Sequence, residues 1–285
     1  MKKIITVILM IAMLTSFPII VRAEEAAEEK VSGEIAASVL SAYIWRGQEL
    51  TRHSVVVQPS LTAGYKGFTA NVWGNLDTNP YSGGNEEYSS NFTETDVTLS
   101  YSKKFGLVQA GVGYIYYGLA AAAPAGTDLP DSQEVFFTLV LDTILSPTLT
   151  VYKEIDYYKQ LYITLGVSHT FALHEKVGLK LAAQASYLKS DDETTYPEFK
   201  RELEFDGDSL ATADKFNNVH DGVVSISIPI AVTGHLTISP TLTYVFPLSS
   251  DAKYEMRARG LEGDSDPSDK RSSFLYGGIV LSYMF

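Results

Sequence analysis

The chain contains no cysteine. An exported fold of this length without disulfides is not a small stapled scaffold, because such scaffolds use crosslinks where a core is too small. Positive charge is also scarce, with 22 Lys and Arg against 34 Asp and Glu. Without Lys- and Arg-rich tracts to meet phosphate, the balance disfavours nucleic acid as a partner, and none is expected. Beyond residue 23 no stretch approaches the roughly 20 apolar residues of a spanning helix. That removes the helical membrane class but leaves the β-barrel, whose alternating strands each carry a weak hydropathy signal. The Walker-type Gly-Lys-Ser, the dinucleotide fingerprint, the Gly-x-Ser-x-Gly elbow and the calcium-hand spacing are all missing, so no cofactor is expected.

What is present begins with "MKKIITVILMIAMLTSFPIIVRA" at residues 1–23. Two lysines, an apolar run and the Val21-Arg22-Ala23 ending read as a secretory signal peptide cleaved after Ala23. An uncleaved anchor fits less well, because Thr15, Ser16 and Pro18 break the run and acidic rather than basic residues follow it. Removing Lys2, Lys3 and Arg22 leaves 19 basic against 34 acidic residues, a formal charge of −15. Residues 24–32 then read as a short periplasmic segment and 33–285 as one domain.

Periodicity sets the class. In "QLYITLGVSHTF", Leu161, Ile163, Leu165, Val167 and Phe171 share one parity and Gln160, Tyr162, Thr164, Ser168 and Thr170 the other. Strict alternation marks a strand with one apolar and one mainly polar face. The pattern recurs in "VVSISIPIAV" and "LTISPTLTYVF". Short connections at 65–68, 103–106, 145–148, 172–176 and 232–235 alternate with mostly longer polar ones at 47–53, 77–92, 119–131, 156–159, 190–220 and 248–272. The expectation is an all-β, transmembrane, antiparallel up-and-down barrel of about 12 strands. They lie near 33–46, 54–65, 67–76, 93–103, 107–118, 133–144, 148–156, 160–171, 177–189, 221–232, 236–247 and 273–285. An even count puts both termini on the periplasmic side.

The chain ends "GGIVLSYMF", with Leu275, Ile279, Leu281, Tyr283 and Phe285 on one parity. An aromatic at the foot of a lipid-facing stripe resembles the assembly signal of Gram-negative outer-membrane barrels, carried here by Tyr283 and Phe285. That resemblance implies an outer-membrane location and, as partners, the barrel assembly machinery, outer-membrane lipid and lipopolysaccharide. A buried last strand in a soluble sandwich is the rival reading.

One stretch narrows the family. "SAYIWRGQELT" at 41–51 precedes "VVVQPSLTAGYKGFTANVWGNLDTN" at 55–79. Ser41, Tyr43, Ile44, Trp45, Arg46, Gly47, Gln58, Gly67, Phe68, Trp73 and Gly74 stand where the TorF-like family of outer-membrane porins carries its characteristic residues, and the segment resembles that family. The resemblance implies a porin-like role and no defined solute.

On the face opposite the apolar stripes stand the candidate lumen residues Arg46, Asn71, Trp73, Asn75, Asp77, Glu94, Asp96, Asp142, Glu154, Asp156 and Lys180. Barrels of this size have interiors little wider than side chains can fill, so a few charges decide what passes. Arg46 is placed to pair with Asp96 or Asp77, either as a constriction or as an ion pair that braces the wall. Lys153 falls on an apolar parity and suggests a bulge. Pro59, Pro229 and Pro240 each remove a ladder donor and suggest bulges or strand ends. The acidic loops at 190–220 and 262–269 read as solvated segments rather than metal sites.

The function expected is a porin-like channel for passive diffusion of small hydrophilic solutes or ions, with weak cation preference if lumen acids prevail. Two alternatives stand beside it: a closed barrel binding partners through its outer loops, and a lipid hydrolase. The hydrolase needs a nucleophile, a base and an orienting group together, which none of the five histidines, His53, His169, His174, His220 and His235, supplies in sequence. Solute, oligomeric state and gating have no signature here.

Overall fold

The computed structural model describes residues 31–51, 54–80, 91–120, 129–201, 209–259 and 271–285. The expected signal peptide and nearly all of the 24–32 segment lie outside the described residues. Twelve strands form the wall: β1 (Ser32–Leu40), β2 (Val56–Tyr65), β3 (Phe68–Asp77), β4 (Phe92–Phe105), β5 (Val108–Leu119), β6 (Ser132–Leu141), β7 (Thr148–Glu154), β8 (Gln160–His174), β9 (Val177–Ser190), β10 (Asn217–Ser227), β11 (Leu236–Pro247) and β12 (Phe274–Met284). Each pairs antiparallel with the next, and β12 pairs with β1, so the sheet closes on itself. Closure is what a lipid environment demands, since an open edge would leave N–H and C=O groups without partners.

Alternation then sorts the side chains. Leu99, Val112, Leu165 and Leu275 face outward and are more than half exposed, whereas Thr138, Thr150, Thr164 and Ser239 on the opposite parity are buried inside. So broad an apolar surface is incompatible with water and suited to hydrocarbon. Connections of two to eight residues lie at one end of the barrel, shared with the described ends of the wall at Ser32 and Met284; those at the other end are longer, except the five-residue one between β7 and β8.

The seam is made by the last residue. Gly33 and Phe285 exchange backbone hydrogen bonds, 2.9 Å each way. The Phe285 ring lies over Gly33 so closely that a Cβ there would approach within 2.4 Å of it. Phe285 thus continues the β12 ladder by one residue and covers the start of β1 on the lipid side.

Several expectations need correction. The first strand does not run to residue 46 but stops at Leu40, and the chain after it turns inward. Pro59 and Pro240 lie in register opposite Ala37 and Ile279 with no bulge. A closed ladder absorbs the loss of one donor without shifting, because the neighbouring rungs still hold the register. Pro229 does end a strand, separating Ser227 from a short continuation at Ile230–Ala231. Lys153 sits opposite Leu161 and Val135 without a bulge. It lies at the long-loop rim, where its ammonium leaves the apolar band and pairs with Asp191.

Deleting Phe285 removes two ladder hydrogen bonds and the ring over Gly33, an expected loss of about 1–3 kcal/mol at the seam. The fraction of heat-modifiable, folded barrel on a cold gel should fall severalfold while molecules that do insert behave normally. Unimpaired folding would contradict this role.

Candidate functional site

The inward turn after β1 is a small hairpin of Ile44–Trp45 paired with Gln48–Glu49. Its root is tied to the wall, with Ser41 N–H donating to Gly277 O at 3.0 Å and Gly277 N–H to Ser41 Oγ at 3.1 Å. The two tip residues, Arg46 and Gly47, have φ of 46° and 77°. That is the mirror-type turn that matches strand twist in a two-residue hairpin. Glycine adopts it freely, while a side chain there costs about 1–2 kcal/mol. Gly47 is further required by a close approach, because a Cβ would meet Met256 at 2.9 Å.

The strain at Arg46 is held by a built receptor. Its Nη1 and Nη2 donate to Glu134 Oε1 and Oε2 on β6 at 2.7 and 2.6 Å. Tyr117 OH donates to the same carboxylate at 2.9 Å. The guanidinium carbon lies 4.5, 4.4 and 5.1 Å from the ring centroids of Trp45, Tyr162 and Tyr152. Both charges are shut off from solvent, Arg46 at 6% and Glu134 at 1% exposure. A bidentate, charge-assisted pair with aromatic cover is the geometry that repays desolvation of a guanidinium.

A helix, α1 (Ser250–Arg259), docks against the hairpin from the connection between β11 and β12. Ser249 caps it, accepting Ala252 N–H at 3.1 Å, with Asp251 in the first turn and Arg257 and Arg259 in the last. Ala252, Glu255 and Met256 are its buried face. Glu255 accepts from Gln48 of the hairpin at 3.2 Å and lies 2.7 Å from His220 Nε2 and 2.8 Å from Arg259 Nε. Burial raises the Glu255 carboxyl, but His220 and Arg259 outweigh it and hold the group below its ordinary value. His220 Nδ1 meets Asp221 at 2.9 Å, and Tyr162 and Ser186 donate to that carboxylate at 2.8 and 2.6 Å. Facing carboxylate oxygens with both nitrogens, the imidazole donates twice.

Hairpin and helix together fill the long-loop half of the lumen. Tyr152, Tyr162, Leu188, Tyr196 and Phe216 form one buried cluster with Ala252, and Ile44, Val245, Met256 and Tyr276 belong to another. Beside Arg46 a cavity of about 20 Å³ remains, lined by Tyr152, Tyr162, Thr164, Gln184 and Asp221, room for about one water. Farther toward the short-turn end the wall carries small hydroxyls such as Thr138, Thr150 and Ser239.

The other candidates distribute around this plug. Arg46 does not pair with Asp77 or Asp96: Asp77 is taken by Ser54 OH and Asn79 N–H, and Asp96 lies beside Glu94. Trp73 faces inward, its ring 5.6 Å from Tyr43. Asn71 donates to Ser60 and Thr62, and Asn75 accepts from Gln58 and donates to Thr93. Glu154 is buried, accepting from Ser132 Oγ and Asp156 N–H. The Asp156 side chain stands in the exposed β7–β8 connection, accepting from Gln133 at 2.8 Å rather than facing the lumen. Asp142 pairs with Lys104 at 2.8 Å near the short-turn end. Lys180 is on the inward parity of β9, between Thr170 and Ser227.

Glu134, the partner that fixes the site, was absent from the sequence candidates. It shares parity with Asp142 eight residues on and was readable by the same rule. The helix was missed as well, although Ser249 precedes a run of good helix formers, Asp-Ala-Lys-Tyr-Glu-Met-Arg-Ala-Arg.

No family model and no curated protein sequence matches the chain. Among solved structures it is similar to a NanC porin at 10% identity and a TM-score of 0.50, covering 88% of this chain and 98% of that one. An outer-membrane channel from Pseudomonas putida F1 aligns at 8% identity and a TM-score of 0.49, over 92% and 97% of the two chains. LpxR from Salmonella typhimurium aligns at 11% and 0.48, over 88% and 100%. At these identities the likeness is one of fold, and it is the fold of a closed outer-membrane β-barrel.

Proposed function

We propose that the protein is a porin-like channel of the outer membrane of a Gram-negative bacterium, passing small hydrophilic solutes or ions by passive diffusion. The observation that carries this reading is the origin of the obstruction. The inner face of the wall carries small hydroxyls toward the short-turn end, and in the long-loop half the space between its inward aromatic residues is taken up by two inserted elements, the Ile44–Glu49 hairpin and α1, held in large part by polar contacts. Neither element is part of the barrel sheet, so displacing them would break no rung of it. The fold likeness to a porin and the resemblance of 41–79 to the TorF-like family support the same reading. On this reading the Arg46–Glu134 pair, buried between hairpin and wall, fastens the hairpin in a shut conformation.

A closed barrel that binds partners through its loops is the second reading, favoured by the apolar clusters that the helix completes. A lipid hydrolase gains no support from the described histidines. His220 is committed to two carboxylates, His169 and His235 lie against the backbone oxygens of Ile144 and Met284, and the Ser186 hydroxyl serves Asp221.

Two outcomes test the channel. Glu255→Ala takes from α1 its contacts with His220 and Gln48, a buried network whose loss costs about 3–5 kcal/mol locally. Refolded into planar bilayers, this variant should show open steps several times more often than the wild type; a folded variant as silent as a plugged barrel would favour the binding reading. Arg46→Glu places two carboxylates together at the tip, expels the hairpin and should shift the reversal potential under a salt gradient toward cation selectivity. An unchanged reversal potential in open channels would place Arg46 off the conduction route.

A further inference from the structure

Most buried carboxylates of the plugged half have their charge answered. Glu134 has Arg46, Glu255 has His220 and Arg259, Asp221 has His220 with two hydroxyls, Glu154 has Ser132 with backbone N–H groups, and Asp77 has Ser54. Asp96, with Glu94 beside it, is the exception among the described residues. They stand on the inward parity of β4, opposite Asn75 and Trp73 of β3, and Glu94 is 5% exposed. Their contacts are to each other and, for Glu94, to Tyr43. Among the described residues no Lys, Arg or His pairs with either, and Oδ1 of Asp96 is closed to solvent with no hydrogen-bond partner at all. Two carboxyls this close share a proton or hold a cation between them.

The surroundings say which cation. Tyr43 and Trp73 bring two aromatic rings, 5.6 Å apart, to the pair. Carboxylate on one side and aromatic faces on the other is the environment of an organic cation. The same lumen already shows the arrangement occupied, because Arg46 lies between Glu134 and the rings of Trp45, Tyr152 and Tyr162. A metal ion is served less well: among the described residues no group of three or more His, Asp or Glu is placed to hold one.

We infer that the Glu94–Asp96 pair, with Tyr43 and Trp73 at its side, is a binding site for the cationic end of a basic solute, an alkylammonium or guanidinium group. As a statement about what the channel passes, this rests on the channel reading; as a binding site it does not, and the test reads binding alone. The chain has two tryptophans, and both Trp45 and Trp73 lie by this part of the lumen. Intrinsic fluorescence of the full-length folded barrel in detergent, titrated with n-butylammonium chloride at constant ionic strength, should change saturably and should not respond to the same exchange of sodium chloride. Apparent affinity should fall at least tenfold in Glu94→Gln/Asp96→Asn and stay unchanged in Asp142→Asn at the far end. If the double variant does not fold, Asp96→Asn alone, which keeps the Glu94–Tyr43 contact, should still weaken binding severalfold. No saturable change, an equal response to sodium, or undiminished affinity in the folded variants would overturn the site.

Discussion

A guanidinium shut away from water has to be paired on the spot, and Arg46 meets that demand with Glu134 across the barrel. Much of the upper lumen follows from this. The pair fixes the tip of the hairpin, the tip requires glycine at 47, and the absence of a Cβ there lets Met256 and with it α1 come down onto the hairpin. Gln48 then reaches Glu255, and Glu255 reaches His220 on the wall. One ion pair, one turn and one glycine thus couple two loops that enter the chain some 200 residues apart.

The wall makes this possible by being closed. Each strand from β1 to β12 is paired on both sides around the ring, and neither the hairpin nor α1 is part of that sheet. Polar contacts in the plug carry large desolvation costs and are correspondingly sensitive to the loss of one partner. Cylinder and insert are thus held by different interactions, the one by a closed ladder and the other by a few buried polar contacts.

The barrel was legible because alternation is local. A period of two in strands such as Gln160–His174, and the alternation of short and long connections, are visible residue by residue. The plug was legible only in part. Parity placed Trp73, Asn75, Asp77, Glu94 and Glu154 inward, but Asp156 fell just past the end of β7, where parity no longer applies. Arg46 was singled out by its position beside Trp45 and Gly47, yet its partner lay 88 residues away on a strand whose distance across the lumen no pattern encodes. The same holds for α1, which reads as a polar loop because only Ala252 and Met256 of its buried face are apolar and the third, Glu255, is an acid. Bulges expected at Pro59 and Pro240 did not form because ladder cooperativity outweighs one missing donor.

The central claim is that the Arg46–Glu134 pair fastens the obstruction. A double-mutant cycle of Arg46→Ala, Glu134→Ala and the combined variant, read as unfolding free energy in denaturant, tests it most directly. The account predicts strong coupling, with each single change costing about 3–5 kcal/mol and the pair together little more than either alone. Losses that add independently, to within about 0.5 kcal/mol, would mean that the two charges do not hold each other and that other contacts fix the hairpin.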